Sequence, residues 1–335
     1  MSQRIEFVDL AKGICISLVV LFHVFGDLSG DVIQLMNLFR MPLYFVLSGL
    51  FFKTYDGLIP FIKKKTNKLL IPFFFTFFFL IIPTTFLLRK FDGKSISFFD
   101  LLCTGDGKLN LGINGAIWFL FCLFAVNIYF YMIFLMTNKN IVGISVLALA
   151  CGGIGYVMSI AGLHVPMWMD SALTAMPFFL TGYLLRCYSP VLYGSFSKKD
   201  ILYAMFSLLL LVFVFLYDEW QGTNVIAFGE NTFDIPFLSL YIGGITGTYF
   251  VLMVAKFFEK LPLISYFGRY SIVILLTHLL YLFVIRNILY QLNLPQNGVA
   301  LNIISFVIIM LLSIPTISFC IKYLPYLFAQ KDIWH

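Results

Sequence analysis

Charge is what this chain has least of. Only 11% of its 335 residues are Asp, Glu, Lys or Arg, against about 25% in an ordinary soluble domain. Hydrophobic residues make up 61%, and the mean hydropathy is +0.96. That deficit excludes a water-soluble fold, so the net charge of +6 carries no signal for a nucleic-acid partner. Metal-ligand spacing is also missing. Cys15, Cys103, Cys122, Cys151, Cys187 and Cys320 are scattered, mostly within or beside apolar runs, and read as packing residues rather than as disulfides or a metal site. A cleavable leader is not expected. Glu6 and Asp9 precede the first apolar run, His23 and Asp27 interrupt it, and no small-residue cleavage motif follows. The chain shows no internal repeat and no low-complexity linker, which leaves residues 1–335 as a single membrane-embedded domain.

Long continuous apolar runs are what is present. Spanning helices need about 20 apolar residues, whereas barrel strands show alternating segments of about 10. The fold class is therefore all-α, a polytopic membrane bundle of about ten transmembrane helices. The expected spans are Leu10–Leu28, Leu35–Phe52, Leu69–Leu88, Asn114–Met136, Ile141–Ile160, Ser171–Cys187, Ile201–Tyr217, Phe237–Ala255, Ser271–Leu289 and Leu301–Tyr323. Pro60 with Lys63-Lys64-Lys65 reads as a break before the third span, and the Phe-rich stretch Pro72–Pro83 as lipid-facing filler. The outer loop Arg89–Gly112 is expected to hold a short interfacial helix. With the N-terminus inside, all basic residues fall on the inner side except Arg40, Arg89, Lys90, Lys94, Lys108 and Arg286. Cytoplasmic loops collect Lys and Arg, so both termini are expected in the cytoplasm.

Ionisable groups inside such segments are costly and mark sites. Lys12 and His23 are eleven residues apart in the first span, which puts them on one helix face about 16 Å apart at 1.5 Å per residue. Asp27, one turn beyond His23, is placed to orient the imidazole. Asp9 precedes Lys12 at helical ion-pair spacing. Lys65 and Lys68, one turn apart, read either as a positive-inside anchor or as an anion pocket for phosphate. Lys12 alone reads as a snorkelling anchor, and a lone intramembrane histidine also glues helices together. Ser48-Gly49 and Thr181-Gly182 read as close-packing points, and Trp118 as an interfacial belt residue. His278 is equally a helix–helix hydrogen bond or a site wall.

In chain order, Asp9-Leu10-Ala11-Lys12-Gly13-Ile14 leads into Val19-Val20-Leu21-Phe22-His23, followed by Arg40-Met41-Pro42-Leu43-Tyr44-Phe45 with Ser48-Gly49. Then come Lys65 and Lys68 before Leu69-Leu70-Ile71-Pro72, and Trp118-Phe119-Leu120. Pro177-Phe178-Phe179 with Gly182-Tyr183, and Gly268 and Ser271 with His278, complete the series. This ordered set resembles the acyltransferase-3 family of integral membrane acyltransferases, close to its stand-alone sugar O-acetyltransferase branch.

The resemblance implies a ten-helix bundle in a bacterial cytoplasmic membrane. It implies transfer of an acyl group, acetyl first, from cytoplasmic acyl-CoA to a hydroxyl of a cell-surface or lipid-linked glycan. The family's arginines appear here as Lys12, Lys65 and Lys68, which keep charge but lose the bidentate fork. On this reading those lysines hold the nucleotide phosphates of acetyl-CoA. His23 is general base or transient acyl carrier, and Asp27 fixes its tautomer. Asn114, Ser48 and Trp118 are candidate oxyanion donors, and Asp9, Arg40 and His278 candidate site walls. The competing class is a transporter of a glycan or lipid-linked sugar. Buried ionisable groups suit it, but the inverted repeats such proteins often carry do not appear.

Overall fold

The computed structural model describes residues 6–26, 30–91, 109–188, 196–223, 225–295 and 298–334. Continuous apolar runs become helices because only a helix satisfies its own backbone hydrogen bonds in lipid. They are α1 (Glu6–Phe25), α2 (Asp31–Leu50), α3 (Leu58–Phe86), α4 (Trp118–Met136, entered through the 3-10 turn Gly115–Ile117), α5 (Ile141–Ile160) and α6 (Met169–Tyr188). After α7 (Lys198–Gln221) a hairpin of β1 (Val225–Ala227) and β2 (Thr232–Asp234) leads to α8 (Phe237–Phe258), the short α9 (Pro262–Arg269), α10 (Ser271–Gln291) and α11 (Val299–Tyr323). Among the described residues nine helices are long and apolar enough to cross a membrane. The twenty-residue α6 matches them in length and buries most of its inner half, Ser171–Leu180 included. With it the described residues form ten long helices, in line with the expected bundle.

Three sequence expectations shift. The first helix begins at Glu6 and ends at Phe25 rather than running Leu10–Leu28, so His23 sits in its last turn and not deep within it. The third helix starts at Leu58, eleven residues before the expected span, because Pro60 falls in its first turn, where no intrahelical N–H is needed. It contains two π turns, Thr66–Leu70 and Phe77–Ile81, each ending two residues before a proline, Pro72 or Pro83. A widened turn makes room for a proline ring that would otherwise strike the carbonyl four residues back. The Phe-rich stretch is lipid-facing on one side only: Phe73, Phe77 and Ile81 are buried at helical spacing, while Phe78 and Phe79 are exposed. The expected interfacial helix in the loop 89–112 falls mostly on residues outside the described ones, as do Asp27 and Cys103.

Water is not the driving force between helices in lipid, so close approach through small residues sets the architecture. A Cβ on Gly49 would collide with the Phe179 backbone, and one on Gly182 with the backbone of Val46 and Leu50. The two glycines thus lock α2 against α6 from both sides, as their sequence context suggests. A second reciprocal pair does the same for α1 and α9. Gly13 lies on the Ile264 backbone, and Gly268 on that of Asp9 and Gly13. That contact carries Arg269, the last residue of α9, to the level of Lys12.

The hairpin has no counterpart in the sequence expectations. Val225, Ile226 and Ala227 pair antiparallel with Asp234, Phe233 and Thr232. Asn231, fully buried with φ 49°, pins its turn: its side chain accepts from Thr174 Oγ1 (2.8 Å) and donates to the Gly155 carbonyl (3.1 Å). Phe228 packs on Phe45, Phe178 and Phe233. The hairpin is therefore a fixed part of the wall it forms.

Candidate functional site

Two cavities lie end to end beside α1, and their linings differ in chemistry. The larger, about 780 Å³, is bounded by His23, Arg40, Trp118, Trp168 and the hairpin residues Gly229 and Glu230. The smaller, about 400 Å³, is bounded by Lys12, Ser48, Lys65, Arg269 and Gln330. Tyr44, Phe119 and Leu275 line both. The Tyr44 and Phe119 rings are 5.3 Å apart, so a single layer of side chains separates the chambers. The expected single site of Lys12 and His23 is thus two chambers with a shared wall.

In the smaller chamber the cations rest on rings. Lys12 Nζ lies 5.1 Å from the Phe51 centroid and Lys65 Nζ 5.5 Å from that of Phe61, contacts that steady an ammonium. Arg269 joins them. It stands beside Gly268 in a motif the sequence draws attention to, but no spacing rule ties it to Lys12; only the glycine contact does. Ser48 is in the wall. Asp9 is half-buried one turn before Lys12, with its carbonyl against Gly268.

Lys68 is placed otherwise. It donates to the Ala329 carbonyl (2.5 Å) and pairs with Asp332 (3.1 Å), which Lys64 also binds. Between them Asn67 accepts from the Ile333 and Trp334 N–H groups and donates to the Trp334 carbonyl. The first π turn of α3 therefore straps down the C-terminal segment, whose Ala329 and Gln330 reach the chamber. Burial pushes the Asp332 carboxyl up, but hydrogen bonds from Lys64 and Lys68 outweigh it and hold the group below the usual carboxylate range.

In the larger chamber His23 meets two rings: Phe22 edge-on at 5.1 Å and His278 at 5.2 Å. His278 is buried on α10. Its Nδ1 lies 2.9 Å from the Ile274 carbonyl and 3.0 Å from that of Leu275. A carbonyl only accepts, so Nδ1 carries the proton and Nε2 keeps its lone pair, for which the described residues supply no partner. His278 is thus both a helix-internal hydrogen bond and a neighbour of His23. Asn114 is fully buried; its amide donates to the Leu276 carbonyl (2.8 Å), which ties the entry of α4 to the same turn of α10. Trp118 lines the chamber, its indole against Gly229. On the far side of His23 a pocket of about 220 Å³ ends at Arg286, which donates to the Val24 carbonyl (3.3 Å) at the end of α1.

Arg40 lies midway along α2, 8% exposed, with its guanidinium 3.5 Å from the Phe22 centroid. Phe22 is thereby shared between Arg40 and His23. Arg269, Tyr44, Arg286 and the hairpin are the site features that sequence reasoning did not assign. Tyr44 stands in a quoted motif, but the role of a partition belongs to three helices at once. Among the described residues no group of three or more His, Cys, Asp or Glu side chains is placed to hold a metal ion.

The arrangement offers a cationic chamber suited to phosphates, an aromatic chamber suited to a sugar ring, and an imidazole in the second one layer of side chains from the first. A family model described as an acyltransferase domain matches residues 5–320. No curated protein and no solved structure matches the chain.

Proposed function

Because the chain belongs to the acyltransferase-3 family, we propose that it moves an acetyl group from acetyl-CoA to a hydroxyl of a cell-surface or lipid-linked glycan, as a stand-alone sugar O-acetyltransferase of the bacterial cytoplasmic membrane. Both termini and the Lys12 chamber face the cytoplasm. Lys12, Lys65 and Arg269 bind the donor's phosphates there, and Lys68 supports them by holding the C-terminal strap. The Tyr44 and Phe119 rings, in contact in this structure, part to admit the pantetheine arm, so the thioester reaches the larger chamber. The acceptor enters that chamber from the opposite face, its sugar ring against Trp118.

His23 takes the proton of the acceptor hydroxyl as general base. Asp27, by its position in the sequence, is assigned to fix its tautomer, and the His278 ring, 5.2 Å away, packs beside the imidazole. One observation carries the proposal: a chamber lined by Lys12, Lys65 and Arg269 and an aromatic chamber that holds His23 share Tyr44, Phe119 and Leu275. The wild-type protein in nanodiscs, given acetyl-CoA labelled in the acetyl group and a glycan acceptor, transfers label to the glycan, and the folded His23→Ala variant does not. Label that stays on the donor overturns the reading, and glycan movement across a bilayer without label would restore the transporter.

A further inference from the structure

Arg40 is a buried cation that lacks what buried cations need. Neither Nε nor Nη1 has a hydrogen-bond partner, and no ion pair links the residue to a carboxylate among the described residues. Contact with the Phe22 ring, and a thiol hydrogen bond from Cys15 to the Arg40 backbone carbonyl (3.3 Å), hold the residue in place without neutralising it. Leaving a guanidinium desolvated and unpaired is costly unless the missing partner arrives with a ligand. The side chain lines the larger chamber with His23, and Phe22 lies between the two. His23 and Arg40 thus open on one chamber, each against Phe22, where a bound acyl group can be approached from both.

We propose that Arg40 is the catalytic oxyanion donor, an inference that rests on the acyl-transfer reading above. The acceptor oxygen forms a bond to the thioester carbonyl carbon as His23 takes its proton, and the carbonyl electron pair moves onto oxygen. Arg40 N–H groups bind that oxygen. Collapse of the intermediate re-forms the carbonyl and breaks the C–S bond. The CoA sulfur leaves with the proton that His23 held, so the products are a glycan ester and free CoA thiol. A donor preorganised where charge develops strengthens its hold in the transition state over the ground state, so it acts on kcat rather than on KM.

Arg40→Lys, Arg40→Met and Arg40→Ala are purified in nanodiscs beside the wild type and normalised to folded protein by size-exclusion chromatography. The Met variant keeps the volume against Phe22. Initial rates are measured with labelled acetyl-CoA and two acceptors, one neutral and one bearing a carboxylate. The expected result is a fall in kcat of about 10²- to 10³-fold, the loss typical of an oxyanion donor, with little change in either KM. The loss is the same for both acceptors, Arg40→Lys retains more activity than Arg40→Met, and added guanidinium restores part of the kcat of Arg40→Ala. An effect confined to KM of the carboxylate acceptor overturns the proposal in favour of a site for acceptor charge. Unchanged kcat in a folded Arg40→Met, or a loss that guanidinium leaves untouched, overturns it as well. A wild type that transfers no label sinks the parent reading instead, so the two failures are distinguishable.

Discussion

The two chambers are built by different physical means. The smaller one is assembled by glycine: Gly13 and Gly268 bring α9 onto α1, and through that contact Arg269 meets Lys12. Its charges rest on aromatic rings and face a segment held by side-chain hydrogen bonds, with Asp332 between Lys64 and Lys68. The larger one is assembled by buried polar groups with few alternatives. Asn231 fixes the hairpin, Asn114 fixes the α4 entry to α10, and His278 is locked into its own helix. On the acyl-transfer reading proposed above, the difference is a division of labour: an adaptable entrance for a flexible ligand, and a rigid chamber where atoms must meet.

Substitutions on the two sides should therefore fail differently. On the rigid side, His23→Ala should lower transfer by about 10²- to 10⁴-fold, the range of general-base catalysis, and leave donor binding intact. Isothermal titration with CoA and a label-transfer assay on the same preparation separate the two effects. Weakened CoA binding in this variant would erase the distinction between the chambers.

On the adaptable side, Lys65→Ala and Arg269→Ala should each raise KM for acetyl-CoA, by about 10- to 100-fold from the loss of a charge-assisted contact, with acceptor KM unchanged. Donor and acceptor titrations test this directly, and a shift in acceptor KM would place those residues elsewhere.

Packing is the next smaller effect. Gly49→Val and Gly268→Val add a branched side chain where the neighbouring backbone leaves no room, and overpacking of this kind costs about 1–3 kcal/mol. Thermal unfolding in detergent should fall for both, but donor affinity should suffer in Gly268→Val alone, because only that glycine positions Arg269. Equal loss of affinity in the two would mean that the entrance depends on the whole bundle.

The smallest effect concerns the strap. The folded pKa of Asp332 is depressed, so its stabilising contribution is present above the pKa of the free carboxyl and lost as pH falls through the lower, folded value. Protection of the C-terminal segment in hydrogen exchange should hold from neutral pH down to the ordinary carboxylate range, then weaken progressively and be lost below the folded value. Asp332→Asn should lose that protection at every pH. Protection that declines already at mildly acidic pH would contradict the ion pairs as its source.

Which parts of this were legible in the sequence follows from what each depends on. Helices declare themselves in continuous apolar runs, and Ile141–Ile160 was readable to the residue. The third helix was misframed because a proline and three lysines look like a break, yet a proline in the first turn and lysines in the next fit a helix. A stretch such as Phe73–Leu80, apolar except for Thr76, has little periodic contrast, so nothing marks Phe73 and Phe77 as the buried ones. Strands of three residues are too short to show alternation, which hid the hairpin. Lys12 and His23 stood out because ionisable groups are rare in such helices. Lys68 stood out for the same reason, but it faces Ala329 and Asp332, more than 250 residues further along the chain. Arg269 and Tyr44 gain their meaning from helices distant in sequence, which no local pattern records.

The account stands on a donor and an acceptor that occupy opposite chambers and meet through the Tyr44–Phe119 partition. Proteoliposomes with the protein in one orientation, labelled acetyl-CoA on one side and glycan acceptor sealed on the other, test this most directly. The prediction is that label crosses to the enclosed glycan when the donor is on the Lys12 side, and not in the reverse arrangement. Transfer that requires donor and acceptor on the same side would contradict it.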